Sequence, residues 1–129
     1  MKSILLTIIF SSYAFSNISV FISHDNKITE VSHKDLANLY LKKTDTIAGV
    51  KVTPIDSKNK KLFKEFYSKI VKKTPKQLHA YWIKQIYTGN TQPPKKLSKT
   101  ELKREMKKNR HIIAYASNPK TGRILLTIK

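Results

Sequence analysis

Apolar residues in this chain come partly in short continuous runs and partly in stripes at helical spacing. Ile18 to Ile22 (ISVFI) is a β-branched and aromatic run followed by the polar Asp25-Asn26-Lys27 turn, and it predicts a buried first strand. Val31-Ser32-His33-Lys34-Asp35-Leu36 has the form of a capping box. Ser32 caps the backbone, Asp35 reaches back, and Val31 with Leu36 makes a hydrophobic staple. The helix it opens carries Leu36, Leu39 and Tyr40 on one face. Thr44 to Gly49 reads as a loop. Val50 to Ile55 alternates as a strand, with Pro54 marking its end or an edge because proline has no N–H to give a ladder.

A second helix starts at Asp56-Ser57-Lys58-Asn59, and Leu62, Phe63, Phe66, Ile70 and Val71 form its apolar stripe, with lysines opposite. Thr74 as N-cap, Pro75 at the first helical position and Gln77 three residues after the cap restart a helix. Its expected buried face is Leu78, Tyr81, Trp82, Gln85 and Ile86. Gly89 is expected to end it in the left-handed conformation. Thr91 to Lys96, with Pro93-Pro94, reads as a stiff connector. Leu97-Ser98-Lys99-Thr100-Glu101-Leu102 repeats the staple and box, opening a very basic helix to about Asn109. Ile112 to Ala116 and Ile124 to Ile128 read as strands separated by an Asn118–Gly122 turn. The order β-α-β-α-α-α-β-β predicts one α/β domain over residues 17–129.

Residues 1–16 read differently. Lys2 is a positive start, Ser3 to Phe10 (SILLTIIF) is apolar, and Ala14-Phe15-Ser16 offers small residues where a signal peptidase tests them. The expectation is an export signal cleaved after Ser16 and a periplasmic protein. The apolar run falls short of the roughly 20 residues that span a bilayer, and no second run follows to anchor the chain in a membrane.

Composition narrows the chemistry. The 129 residues hold no cysteine, which excludes disulfides, thiolate metal sites and thiol catalysis. There is no Gly-x-Ser-x-Gly elbow and no Walker sequence, and His24, His33, His79 and His111 lack metal-ligand spacing. No enzyme, metal site or cofactor is therefore expected. The net charge of +18 favours anionic company without naming the anion. Lysine dominates the basic residues, with arginine only at Arg104, Arg110 and Arg123. Specific nucleic-acid recognition, which favours arginine forks and exposed aromatics among basic residues, is not expected.

Phe66-Tyr67, Thr74-Pro75-Lys76-Gln77-Leu78, Tyr81-Trp82, Tyr87-Thr88-Gly89 and Pro93-Pro94 together resemble the small, exported phosphate ABC transporter substrate-binding-protein-like proteins of bacteria. Leu36 to Lys43 (LANLYLKK), Val52 to Asp56 (VTPID) and Ile113-Ala114-Tyr115 fall in the same order as segments of that family. The resemblance implies a single lobe of a type II periplasmic-binding-protein-like fold, a twisted mixed sheet flanked by helices. It also implies binding of phosphate or a similar oxyanion, with an ABC permease or another envelope protein as partner. The chain departs from the family where a Ser-Gly-Thr phosphate signature is expected, carrying Ser57-Lys58-Asn59-Lys60 instead.

The residues themselves place the candidate site at Asp56, Ser57, Asn59 and Lys60, where a strand end meets a helix start. Unpaired N–H groups and the positive dipole end suit an oxyanion there. Ser57 and Asn59 supply donors, Lys60 supplies charge, and Asp56 accepts a proton from monohydrogen phosphate. The same residues also read as ordinary helix capping with solvated lysines. Ser23, after the first strand, is a weaker candidate, expected on the same sheet edge. The expected function is weak oxyanion capture by a monomer linked to phosphate uptake. The alternative is an envelope interaction module that has lost the anion site. It would dock a protein or anionic polymer through a basic surface such as Lys103–Arg110.

Overall fold

The computed structural model describes residues 17–89 and 91–129; the expected export signal, residues 1–16, lies outside them. The elements run β1 (Ile18–Ile22), α1 (His33–Tyr40), β2 (Thr46–Ile47), β3 (Val50–Lys51), β4 (Thr53–Ser57) and α2 (Lys60–Phe66), which continues as a π-helical turn (Tyr67–Val71). They continue through α3 (Pro75–Gly89), β5 (Lys95–Leu97), α4 (Lys99–Lys108), β6 (Ile112–Ser117) and β7 (Arg123–Ile128). Five strands form a mixed sheet in the order β5-β4-β6-β1-β7. β4 is parallel to β5 and β6, while β1 is antiparallel to β6 and to β7. No helix among the described residues is long and apolar enough to cross a membrane.

The helix starts follow their capping signals. Ser32 Oγ accepts the Asp35 N–H at 3.0 Å while Asp35 reaches back, and Ser98 accepts from Glu101 at 3.2 Å in the same reciprocal way. Thr74 and Gln77 close a third box before α3, at 3.0 and 3.2 Å. One face of the sheet is covered by α1, α2 with its π turn, and α3. Their Leu36, Leu39, Phe66, Ile70, Leu78 and Trp82 join Ile18, Val20 and Ile22 of β1 in the main core. Each fully buried leucine there contributes roughly 1.5–3 kcal/mol over its exposed state. Among the described residues the opposite face has only α4, whose Met106 and Leu102 meet Phe21, Ile55, Leu97, Ile112 and Ala114.

Several expectations are corrected. The predicted strand over Val50–Ile55 is two strands, and Thr44–Gly49 is not a plain loop. β2 and β3 form a hairpin whose central Ala48 (φ 51°) and Gly49 (φ 79°) take the left-handed pair suited to strand twist. Pro54 sits in an interior strand. Thr53 donates its N–H to His111 on the β6 side, so alternation turns the proline nitrogen to the other side, ahead of the first β5 pairing at Ile55. The connector after Thr91 contains β5. Gly89 ends α3 without a left-handed turn; such turns occur instead at Lys42 (φ 60°) and Lys72 (φ 59°).

On α3, Leu78 and Trp82 are buried, but Ile86 is 58% exposed, and among the described residues no element packs beside the second half of the helix. Asn118–Gly122 is not a hairpin turn, since β1 lies between β6 and β7. Ser117 pairs with Ile18 while Arg123 pairs with Ile22, so the segment runs back along the length of β1. It passes Phe21: a Cβ on Gly122 (φ 79°) would collide with the Ile22 carbonyl oxygen and press on the Phe21 ring. Only glycine fits there.

Candidate functional site

The three parallel strands β5, β4 and β6 end on the same edge of the sheet, and their last residues are Leu97, Ser57 and Ser117. α2 starts just beyond β4 and α4 just beyond β5. A cavity of about 460 Å³ opens at this edge, bounded by the start of α4, the end of β4 and the Ser117–Thr121 segment. Ligands of open α/β sheets bind outside the carboxyl ends of their parallel strands, and this cavity has that position.

Asp56, next to Ser57, is 3% exposed and is the one buried carboxylate among the described residues. Ile55 faces α4 and the cavity, so the Asp56 side chain turns to the main-core face, and its expected contact with the anion is not formed. Tyr67 donates its hydroxyl to Asp56 Oδ2 at 2.8 Å, and Tyr115 donates to Oδ1 at 2.9 Å. Burial pushes the Asp56 carboxyl up to about 7, and the two tyrosine hydrogen bonds pull against that shift, with help from the charges of Lys96 and Lys42. Burial, followed by the neighbouring Asp56 charge, holds the Tyr67 and Tyr115 hydroxyls well above their ordinary range. They therefore stay protonated and donate. The Tyr115 oxygen also accepts the Ser57 N–H at 3.2 Å, linking the carboxylate to the candidate site. Stacking holds the pair: the Tyr115 and Phe66 rings lie 3.8 Å apart and 3° from parallel. Tyr40 completes the cluster, donating to the Ile55 and Ile113 carbonyls at 3.0 and 3.2 Å.

The remaining predicted residues divide. Ser57 lines the cavity, and its Oγ accepts the Asn59 N–H at 3.1 Å, which leaves the hydroxyl hydrogen free to donate. Asn59 also lines it, but its Oδ1 is committed to the Leu62 N–H at 3.1 Å. The capping reading thus holds for that oxygen, while the amide NH₂ remains. Lys60 is exposed and stands outside the cavity wall; Lys58, Lys99, Lys103 and Lys120 are the lysines that line it. Lys58 Nζ is paired with Glu101 at 2.6 Å. That contact, with the Ser98 cap, holds the exposed Glu101 carboxyl down at about 2.

Ser23 is not at this edge. β1 runs antiparallel to β6, so the residue after Ile22 lies at the opposite end of the sheet from Ser57. The expectation that both sheet turns share an edge fails because it assumed a parallel first strand. The sequence reading also missed Tyr67, Tyr115 and Ser98. A tyrosine on an apolar face needs a partner for its hydroxyl. Tyr40, Tyr67 and Tyr115 in otherwise buried stretches, beside the lone acid of VTPID, were the available signal.

No protein-family profile matches the sequence, and no curated protein matches it. Among solved structures, the fold is similar to a phosphate ABC transporter substrate-binding protein from Clostridium perfringens, determined with bound phosphate. The TM-score is 0.56 at 14% identity, over 79% of this chain. This chain spans 40% of the length of that one. At such identity the likeness concerns the fold alone: a mixed α/β fold, a five-stranded sheet flanked by helices, similar to part of that binding protein.

Proposed function

We propose that this domain binds rather than catalyses, and that it captures phosphate or a similar oxyanion at the carboxyl edge of β4. One observation carries the reading: at the carboxyl ends of three parallel strands, hydroxyl donors and lysines surround a cavity. The Ser57 hydroxyl and the Asn59 side-chain NH₂ donate to the anion. Lys99, Lys103 and Lys120 concentrate it. Asp56 supports this edge from behind: Tyr115, which donates to it, takes the Ser57 N–H and so fixes the end of β4. The fold's likeness to a phosphate-transport binding protein supports the same ligand class. In this reading residues 17–129 are one exported lobe, acting as a monomer in ABC-type phosphate uptake. With the anion held from one side, affinity is modest.

Calorimetric titration with phosphate at low and moderate salt, with sulfate as control, tests the reading. Saturable, phosphate-selective heat that survives moderate salt is expected. Ser57→Ala should weaken it about tenfold, the value of one hydrogen bond to a charged partner. Heat equal for both anions and erased by salt would refute capture and leave only diffuse attraction to a basic surface.

A further inference from the structure

The cavity beside Ser57 is far larger than a tetrahedral oxyanion requires, and its floor is not polar. Its 460 Å³ falls in the range of roughly 300–1,000 Å³ typical of organic-ligand pockets. The apolar side chains still part-exposed in it include Ala116 of β6, Leu102 of α4 and Leu62 of α2; Phe21 and Ala114 lie buried beneath them. The small Ala116 leaves space that a larger side chain would fill. The hydroxyls and lysines stand on the rim: Ser57, Ser98, Lys99, Lys120 and Thr121.

We infer that this cavity takes an amphiphilic anion, a phosphate monoester with a short alkyl or aryl group. Its head sits at the Ser57–Ser98 rim and its apolar part lies on the Ala116–Leu102 shelf. The inference rests on the oxyanion reading above and adds the class of molecule that carries the anion. Water on that floor has few partners, so an apolar group displaces it favourably. The phosphate contacts the rim in the same way with or without the organic group, so the two parts contribute separately.

The test is a series of methyl, propyl, butyl and hexyl phosphate titrated into the full chain at fixed salt, with inorganic phosphate and hexanol as references. Charge is nearly constant along the ester series, so differences within it report the shelf alone. Affinity should rise about fourfold for each methylene placed on the floor, and level off once the cavity is full. Ala116→Phe should remove the chain-length dependence while leaving inorganic phosphate binding within twofold. The wild-type series stands without the variant if Ala116→Phe fails to fold. Equal affinity for inorganic phosphate and every ester would overturn the shelf and leave the oxyanion site standing. Hexanol binding as tightly as hexyl phosphate would overturn the amphiphile assignment. If neither inorganic phosphate nor any ester binds, both readings fall.

Discussion

Asp56 gives the sharpest quantitative expectation, because its burial and partners fix both the sign and the size of a pH effect. The folded carboxyl titrates at about 7, against an ordinary value of 3.8, with burial as the dominant cause. Below pH 4 it is protonated in both folded and unfolded chains. As pH rises, the unfolded chain ionises first while the folded one still holds its proton. The folding free energy therefore declines between pH 4 and 7 and levels off above that. Roughly three pH units at about 1.4 kcal/mol each give a decline of about 4 kcal/mol. Asp56→Asn removes the titration and keeps the shape of the side chain. Urea unfolding followed by fluorescence of the buried Trp82 reads both proteins from pH 4 to 8. The wild-type stability minus that of the variant should fall by about 4 kcal/mol across the window, which cancels the pH dependence of the other groups. A difference that stays flat within about 1 kcal/mol would mean that Asp56 titrates like an exposed carboxylate, and the buried tyrosine network would be wrong.

Tyr67→Phe removes one of the two hydroxyls that favour the ionised Asp56, so the stability decline should extend above pH 7; carboxyl NMR titration checks it. Gly122→Ala places a Cβ against the Ile22 carbonyl oxygen at φ 79°, and should cost about 2–4 kcal/mol in denaturant unfolding. Glu101→Gln keeps the capping geometry but frees Lys58 from its ion pair, and should raise phosphate affinity severalfold at low salt in calorimetry. Binding of a fully ionised oxyanion beside Asp56 should take up a proton near pH 7, seen as a binding heat that varies with the ionisation enthalpy of the buffer.

The helix starts were legible because capping is a local transaction between residues three apart: Ser32 with Asp35, Thr74 with Gln77 and Ser98 with Glu101 all pair as their spacing requires. Strand neighbours were not legible. Lys95-Lys96-Leu97 carries one buried residue and becomes a strand only because β4 offers it a parallel ladder. The direction of β1 is likewise set by pairing with β6 and β7, far along the chain, and that pairing moved Ser23 away from the site. Ile83 and Ile86 show a third limit. The apolar stripe of α3 continues past Trp82, but the core beneath it does not, and both side chains are more than half exposed. At the candidate site, the strand-to-helix junction at Ser57 was visible. The tyrosines that hold Asp56 were hidden among positions that read equally well as core.

The cavity follows from how unevenly the helices are shared between the two faces of the sheet. An α-helix is about 10 Å across, enough to cover two or three strands spaced about 4.8 Å apart. Among the described residues three helical segments cover the main-core face, whereas α4, ten residues long, is alone on the other. It covers β5, β4 and part of β6. The parallel crossover from β6 to β7, where α/β proteins usually place a second helix, is here only the Asn118–Gly122 segment. That segment packs on Phe21 through Gly122 but is too thin to cover Ala116, so it walls the space beside it. A helix in that crossover would complete the core and close the site. The short, glycine-ended crossover therefore accounts at once for the open floor, for the lysine and hydroxyls at its rim, and for the strict requirement at Gly122.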